Sequence, residues 1–394
     1  MRNKIIDNLR ALCMLGVIAI HTGSLALQPG NFTLYIILEV LSRYSVPSFF
    51  FISGYGLFCS LRLTDDGRLL DARPQSYMQF IKKRLLGSGL PYLSWSLLYL
   101  AYFWLVLPPG YISWQPLHLA FVLFFGLACY HLYFMVILLW FYALLPLWRH
   151  LLQLIVRCGA AAGLAALLIF QLAFNWWTTH PGIDSSSWPA LARNFFNYRL
   201  NYLPLHYLLI FMCGALAAVY WRQFCTLLRK HVCAVLLFYA ASIIWTVYSC
   251  WQAASCKNYS LIDLANTYHQ LSPQGLIYTL ASLAAFCLLL DWLENAQQKA
   301  SAAKAKRSVK DKLFWALHKI ISLLGEQSLL IYLTHPLLLD WLTSFYTKYG
   351  IVMTVKKVSF SYLLLVAGSF AFSCLISRLL RGRPLLSLLL TGRK

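Results

Sequence analysis

Apolar runs of about twenty residues, the length that a helix needs to cross a bilayer, recur along this 394-residue chain. Only 11% of the residues are charged, against about 25% in soluble domains. Backbone groups in lipid must bond within helices or within a closed barrel, and the alternating pattern of barrel strands is absent. The sequence therefore predicts an all-α, polytopic helical bundle that forms one membrane domain over residues 1–394, with no appended soluble domain.

The apolar runs predict about ten transmembrane helices. These spans lie at 9–27, 33–60, 85–107, 116–147, 155–174, 203–221, 231–252, 273–295, 319–342 and 357–380. If the N-terminus is cytoplasmic, the inner segments include a loop at 61–84, short turns at 148–154 and 222–230, and a loop at 296–318. Most of the 33 Lys and Arg residues then lie on the inside, so both termini are expected in the cytoplasm. The same bias explains the net charge of +21 and makes nucleic acid an unexpected partner.

The run at 116–147 is long for one span. It either forms one span, whose centre at residues 129–133 around His131 is a break or a re-entrant turn, or it forms two short spans. Two spans would place Arg149 and Arg157 outside, against the charge bias. A break within a membrane is tolerated only where it lines a cavity or lies within protein.

Two ionisable residues lie on one face of the first span. Arg10 and His21 are eleven residues apart, about three helical turns and about 16 Å along the axis. Asp7 lies on the same stripe and is spaced to pair with Arg10. Ionisable groups are costly in a bilayer and by default indicate function. Structural roles are the alternative: the Arg10 side chain would extend to the lipid headgroups, and His21 would hydrogen-bond to a neighbouring helix.

A second polar group lies in the next span. Arg43 requires a partner there, and Glu39, one turn away, is the local candidate. Pro47 predicts a kink beside it, and Ser53-Gly54 allows close approach of another helix. A packing kink would explain Pro47 and Gly54, but it would not explain Arg43.

The ninth span carries a polar stripe on one face, because Gly325, Ser328, Tyr332 and His335 recur at helical spacing. Such a stripe faces protein or a cavity. Hydrogen bonding between helices is the alternative to a functional role, and for Ser328 and Tyr332 it is the preferred interpretation.

Three consecutive cations, Lys82, Lys83 and Arg84, precede the third span. They are suited to binding cofactor phosphates, but the excess of basic residues in inner loops predicts them equally well. The eleven cysteines form no CxxC pair and no cluster with histidine at zinc spacing, so no metal site is expected.

Four motifs, in this order, resemble those of the membrane acyltransferase-3 family. The Arg/Lys-x10-His signature corresponds to Arg10 and His21, and the Phe-Phe-x-x-Ser-Gly-Phe/Tyr motif corresponds to residues 50–55. The basic segment that ends in Pro-Tyr corresponds to residues 82–92, and the Gly-x-x-Ser-x-x-x-Tyr-x-x-His motif corresponds to residues 325–335. Each motif is weak alone, and the resemblance rests on all four together over most of the chain.

Within that family, residues 42–47 and 130–134 resemble small, stand-alone O-acetyltransferases of cell-surface polysaccharides, of the type that modifies enterobacterial common antigen. Two positions depart from the family pattern. Gly87 stands where many relatives have a second arginine, and Tyr133 stands where tryptophan is usual.

The resemblance implies an O-acyltransferase of the bacterial cytoplasmic (inner) membrane. The donor would be acyl-CoA, expected to be acetyl-CoA, and the acceptor a hydroxyl of a surface glycan or its lipid-linked precursor. It implies that Lys82, Lys83 and Arg84 hold the CoA phosphates. Arg10 would hold the pantetheine region or thioester, and His21 would deprotonate the sugar hydroxyl or accept the acyl group. Substrate contacts are expected from Asp7, Arg43, Ser53, His131, Ser328, Tyr332 and His335.

Two other classes of function are compatible with a polytopic chain. A transporter of a glycan or lipid-linked sugar would use His21 and Arg43 as substrate or proton sites, but the inverted repeats that would favour it are not apparent. A membrane scaffold would leave the aligned Arg10, His21 and Arg43 without a role.

Overall fold

The computed structural model describes residues 3–26, 32–72, 74–180, 182–302 and 309–393. In this part of the chain, helices dominate. They are α1 (Lys4–Gly23), α2 (Phe32–Tyr35), α3 (Ser45–Phe58), α4 (Tyr77–Arg84), α5 (Leu90–Val106), α6 (Pro116–Phe125), α7 (Tyr133–Ala143), α8 (Leu145–Cys158), α9 (Ala160–Thr179), α10 (Ala190–Asn197), α11 (Arg199–Tyr202), α12 (Leu208–Val219), α13 (Trp221–Lys230), α14 (Val232–Cys256), α15 (Leu261–Thr267), α16 (Pro273–Ala302), α17 (Val309–Lys348), α18 (Val355–Leu379) and α19 (Pro384–Thr391).

Shorter elements join several of these helices. Turns of π-helix cover Ile36–Val40 and Leu85–Gly89, and turns of 3-10 helix cover Ser24–Ala26 and Pro204–Tyr207. An antiparallel hairpin pairs β1 (Leu61–Leu63) with β2 (Leu69–Asp71), in a segment that was expected to be an inner loop. The all-α prediction holds apart from this hairpin.

The prediction of a polytopic helical membrane protein is confirmed. Among the described residues, seven helices are long and apolar enough to cross a membrane, or up to nine if each of two bent pairs forms one span. These seven to nine candidates are consistent with the prediction of about ten spans. The predicted ninth span lies within α17, which does not qualify by composition because it carries polar residues such as Glu326, His335 and Asp340.

The predicted run at 116–147 is broken between α6 and α7, at the centre where the sequence suggests a break. Helix α6 ends at Gly126, whose φ of +69° favours glycine, and a Cβ there would lie 2.7 Å from the Cα of Tyr133. The chain then turns before α7, and a bend of 70° separates α7 from α8. The inner turns expected at 148–154 and 222–230 are wrong as well, since they lie within α8 and α13.

The described chain divides into two compact units, and the first comprises residues 1–56 and 220–375. Within it, α1 packs most extensively against α17. A Cβ on Gly325 would clash with the carbonyl oxygen of Asp7, so the two backbones touch at this point. Small residues permit such close approach, which is a principal source of helix association in membranes.

The second unit comprises residues 57–219 and 376–394. Here the side chain of Gln171 on α9 supports an interrupted helix. Its Nε2 donates to the carbonyl of Leu205 at 2.9 Å, and its Oε1 accepts from the backbone N–H of Leu209 at 3.0 Å. Irregular backbone at membrane depth needs such partners, because lipid supplies none.

The hairpin of the second unit is held by α8. Arg149 pairs with Asp71 at 3.0 Å, and Gln153 bonds the backbone of Leu69 and of Gly67, each at 2.8 Å. Helix α8 therefore anchors the hairpin, a role that the prediction of a short turn at 148–154 did not include.

The contact at Gly325 predicts a position-specific loss of stability. Gly325→Ala should lower the free energy of unfolding by about 1–3 kcal/mol, because the new methyl group would meet a backbone carbonyl that cannot rotate away. The measurement is the thermal unfolding midpoint of the purified protein in lipid nanodiscs. Gly368→Ala on α18 is the matched control, since its nearest neighbouring atom would lie 4.0 Å away, and alanine favours helix. Equal loss in both variants would contradict the close approach of α1 and α17.

Candidate functional site

The first unit contains the Asp7–Arg10 pair on α1. Arg10 Nη1 donates to Asp7 Oδ1 at 2.6 Å, which confirms the pairing expected from their spacing. Asp7 is buried, while the Arg10 side chain is about one-third exposed. The guanidinium therefore has a fixed position and remains accessible from one side.

The histidines of two distant motifs meet in this unit. The ring of His21 lies against that of His335, with centroids 5.2 Å apart and an angle of 31° between the ring planes. His335 is fully buried, and its Nδ1 lies 3.0 Å from the carbonyl oxygen of Ile331 and 2.9 Å from that of Tyr332. The structure thus gives His21 a titratable neighbour that is 314 positions later in the sequence.

The polar stripe predicted on the ninth span is buried. Gly325 meets α1, while Ser328, Tyr332 and His335 on the same face are 9%, 7% and 0% exposed. The tyrosine ring lies 6.3 Å from the ring of His335, measured between centroids. The prediction that this face is turned toward protein is confirmed; whether these side chains bind substrate stays a prediction.

Arg43 has several protein partners within the first unit. Its Nη2 donates to Glu39 Oε1 at 2.8 Å, which confirms the predicted local pair. Its Nη1 donates to the carbonyl oxygens of Ala265 at 3.0 Å and Tyr268 at 2.5 Å. Arg43, in the turn before α3, therefore holds this turn to the C-terminal end of α15. This is a structural role, and the substrate contact stays a prediction.

The other end of α15 is capped. Ser260 Oγ accepts from the backbone N–H of Asp263, and the Asp263 carboxylate accepts from the backbone and hydroxyl of Ser260. These hydrogen bonds lower the pKa of the Asp263 carboxyl below its usual range. The bond from the Ser260 hydroxyl contributes most, and the bond from the Ser260 backbone N–H contributes less. Helix α15 is thus fixed at one end by its cap and at the other by Arg43.

Ser53 has a local partner. Its hydroxyl donates to the carbonyl of Phe49 at 2.8 Å within α3. This bond is of the kind that keeps a serine compatible with a buried helix. A substrate contact by Ser53 stays a prediction.

The remaining predicted site residues lie in the second unit. Lys82 and Lys83 are exposed on α4, whereas the guanidinium of Arg84 lies 5.2 Å from the ring centroids of Phe80 and of Tyr142. Arg84 also lines an apolar cavity of about 310 Å³. The three consecutive cations thus have different surroundings, since two are exposed at the protein surface and one stacks on aromatic rings.

His131 is buried in the turn between α6 and α7. Its ring makes edge contacts with Tyr99 and Tyr130, at centroid distances of 5.4 and 5.7 Å. The break between α6 and α7 therefore contains this histidine and buries it within the second unit.

A polar cavity that the sequence reading missed lies beside the N-terminal end of α1. Its volume is about 580 Å³, and its lining includes Lys4, Asp7, His318 and Glu326. Next to it, Glu294 lies 3.2 Å from the Lys4 ammonium and 3.6 Å from His318 Nε2. The sequence did contain a signal for this site. Acidic residues are rare in the chain, which has only 12 Asp and Glu, and Glu294 lies at the end of an apolar run.

Comparison with known proteins gives one match. A family model described as an acyltransferase domain matches residues 3–378. No curated protein and no solved structure matches the chain.

The surroundings of Arg43 predict a large cost for removing it. Arg43→Met should lower the free energy of unfolding by about 3–5 kcal/mol, because Glu39 would remain buried without its cation. Arg68→Met is the matched control, since the Arg68–Asp66 pair is exposed and should contribute no more than about 1 kcal/mol. Thermal unfolding of both variants in nanodiscs measures the difference. Similar unfolding midpoints would show that Arg43 does not hold the turn before α3 to α15.

Proposed function

Since this chain belongs to the acyltransferase-3 family of membrane acyltransferases, we propose that it is an O-acetyltransferase. The donor would be acetyl-CoA, and the acceptor a hydroxyl of a bacterial cell-surface polysaccharide or of its lipid-linked precursor. The proposed location is the bacterial cytoplasmic membrane. Family membership favours this function over glycan transport, and nothing in the described residues specifically favours a transporter.

One observation carries the proposal: His21 lies on α1, as does the Asp7–Arg10 pair, and its ring lies against that of His335 on α17. Acyl transfer to a hydroxyl requires a base for the hydroxyl proton and a group that binds the thioester. A histidine deep in the span and an arginine nearer the end of the same helix supply both kinds of group.

The proposed reaction follows from these positions. The acceptor oxygen attacks the thioester carbon while His21 removes the hydroxyl proton; the new C–O bond forms, the C–S bond breaks, and the proton passes to the CoA sulfur. In a second route, a His21 nitrogen attacks the thioester carbon and the C–S bond breaks. The acceptor oxygen then takes the acetyl group from His21, and its proton passes to the CoA sulfur. In both routes Arg10, held by Asp7, orients the donor near its thioester.

The CoA phosphates are proposed to contact the cations of α4. The exposed ammonium groups of Lys82 and Lys83 are open to a soluble ligand. Phosphate recognition by exposed lysines is mainly a Coulomb attraction that salt weakens. Arg84, which stacks on two rings, has a fixed orientation for a planar contact with an anionic oxygen.

Removal of the proposed base tests the reaction. His21→Ala should lower acetyl transfer by at least about 100-fold, the usual contribution of a positioned general base, while folding and insertion persist. Inside-out vesicles receive isotope-labelled acetyl-CoA, and label in the glycan fraction is counted.

His118→Ala, which changes an exposed histidine at the start of α6, is the matched control and should retain wild-type transfer. Undiminished labelling by His21→Ala would refute the catalytic assignment. Glycan movement without acetyl incorporation by the wild type would favour the transporter.

The α4 cations predict a binding defect. Lys82→Gln/Lys83→Gln should raise the KM for acetyl-CoA about tenfold with kcat nearly unchanged, because only an attraction common to ground and transition states is lost. The effect should shrink at high salt. Arg222→Gln/Lys230→Gln removes the same charge from exposed positions on α13 and should leave the KM unchanged. An equal rise in both double variants would indicate a nonspecific surface potential.

A further inference from the structure

Helix α17 contains a proline directly after His335. Pro336 has no N–H, so the carbonyl four residues earlier, that of Tyr332, loses its helical donor. That same carbonyl oxygen lies 2.9 Å from His335 Nδ1, and the preceding carbonyl, of Ile331, lies 3.0 Å from it. The proline therefore releases the acceptor that the neighbouring imidazole uses.

This arrangement determines where the ring proton lies. A carbonyl oxygen can only accept, so His335 Nδ1 must donate and therefore carries the proton. In a neutral imidazole the other nitrogen, Nε2, is then an acceptor. The His-Pro sequence thus selects one of the two tautomers through covalent structure and helix geometry.

The tautomer of His335 matters because the ring of His21 lies next to it. The ring centroids are 5.2 Å apart, so a rotation of either side chain would let His335 Nε2 accept an N–H···N hydrogen bond from His21. If His335 Nε2 accepts from one nitrogen of His21, the other nitrogen of His21 keeps its lone pair for an incoming hydroxyl. Orientation of a base by a third group is the general arrangement of activated nucleophilic sites.

We propose that Pro336 fixes His335 as the Nδ1–H tautomer, and that His335 in this form is a positioning residue that fixes the tautomer of His21. The part that concerns His21 as a base rests on the proposed function, whereas the tautomer of His335 does not. During transfer the hydroxyl proton moves to His21, the lone pair of His335 Nε2 stabilises the doubly protonated His21 ring, and the proton leaves with the CoA sulfur as the C–S bond breaks.

Nitrogen NMR of histidine side chains tests the tautomer without any activity. The protein carries ¹⁵N in its histidine rings and is measured in nanodiscs; the His335 signals are those missing from the His335→Asn spectrum. The wild type should show His335 protonated on Nδ1, and Pro336→Ala should move a substantial fraction of the proton to Nε2, because the restored N–H competes for the Tyr332 carbonyl.

Pro273→Ala is the matched control. Pro273 is the first residue of α16, where the missing N–H has no helical partner in any case, so its replacement should leave the His335 signals unchanged. A wild-type His335 protonated on Nε2, or signals that Pro336→Ala leaves unchanged, would overturn the inference.

Two substitutions at His335 separate positioning from structure. Asparagine places an amide N–H near the position of Nδ1 and keeps the bonds to the α17 carbonyls, whereas glutamine reaches the position of Nε2 and offers an acceptor to His21. His335→Asn should lower the kcat of acetyl transfer at least tenfold with the KM for acetyl-CoA unchanged, while His335→Gln retains most of the turnover.

The result distinguishes the two proposals. Full turnover by His335→Asn, or equal losses in both variants at wild-type thermal stability, would overturn the positioning role and leave the proposed function intact. A wild type that transfers no acetyl group would refute the proposed function, and the ring spectra would then decide the tautomer of His335 independently.

Discussion

The contact between α1 and α17 at Gly325 is the constraint on which the candidate site depends. Lipid gives no hydrophobic force between helices, so their association rests on close packing and polar contacts. At Gly325 the absence of a side chain lets α17 reach the carbonyl of Asp7. The same pair of helices carries the His21–His335 contact, so one small residue fixes the level at which the two motifs face each other. The meeting of Gly325 with Asp7 and of His335 with His21 also shows that the two helices run in the same direction.

Arg10 and Arg43 both lie in predicted spans of the first unit, where a charged side chain is costly. Their surroundings compensate for this cost in different ways. Arg43 is surrounded by a carboxylate and two carbonyl oxygens, and it therefore joins elements of the fold. Arg10 pairs with the Asp7 carboxylate and remains about one-third exposed, so a ligand can approach it from one side. The difference separates a structural ion pair from a candidate binding group, although each arginine has an acidic partner about one helical turn away in the sequence.

The second unit shows how a broken span is accommodated. Helix α9 directs Gln171 at the interrupted backbone near Pro204, and the turn after α6 encloses His131 among tyrosines. Packing also distinguishes the three cations before the third span: Arg84 lies against Phe80 and Tyr142, while the two lysines are exposed at the protein surface. Charge bias in the sequence predicts all three equally, since it counts charges and does not distinguish their surroundings.

The sequence by itself determined whatever depends on a single helix. The Asp7–Arg10 and Glu39–Arg43 pairs and the polar face of α17 follow from 3.6 residues per turn, and the membrane class follows from the apolar runs. It did not determine the breaks near Gly126 and Leu144, because apolar composition continues through them. Only the tertiary structure decided that His21 meets His335, that Arg43 reaches α15 and that Glu294 lies beside His318. Those contacts join separate helices, and their register depends on packing that no local spacing encodes.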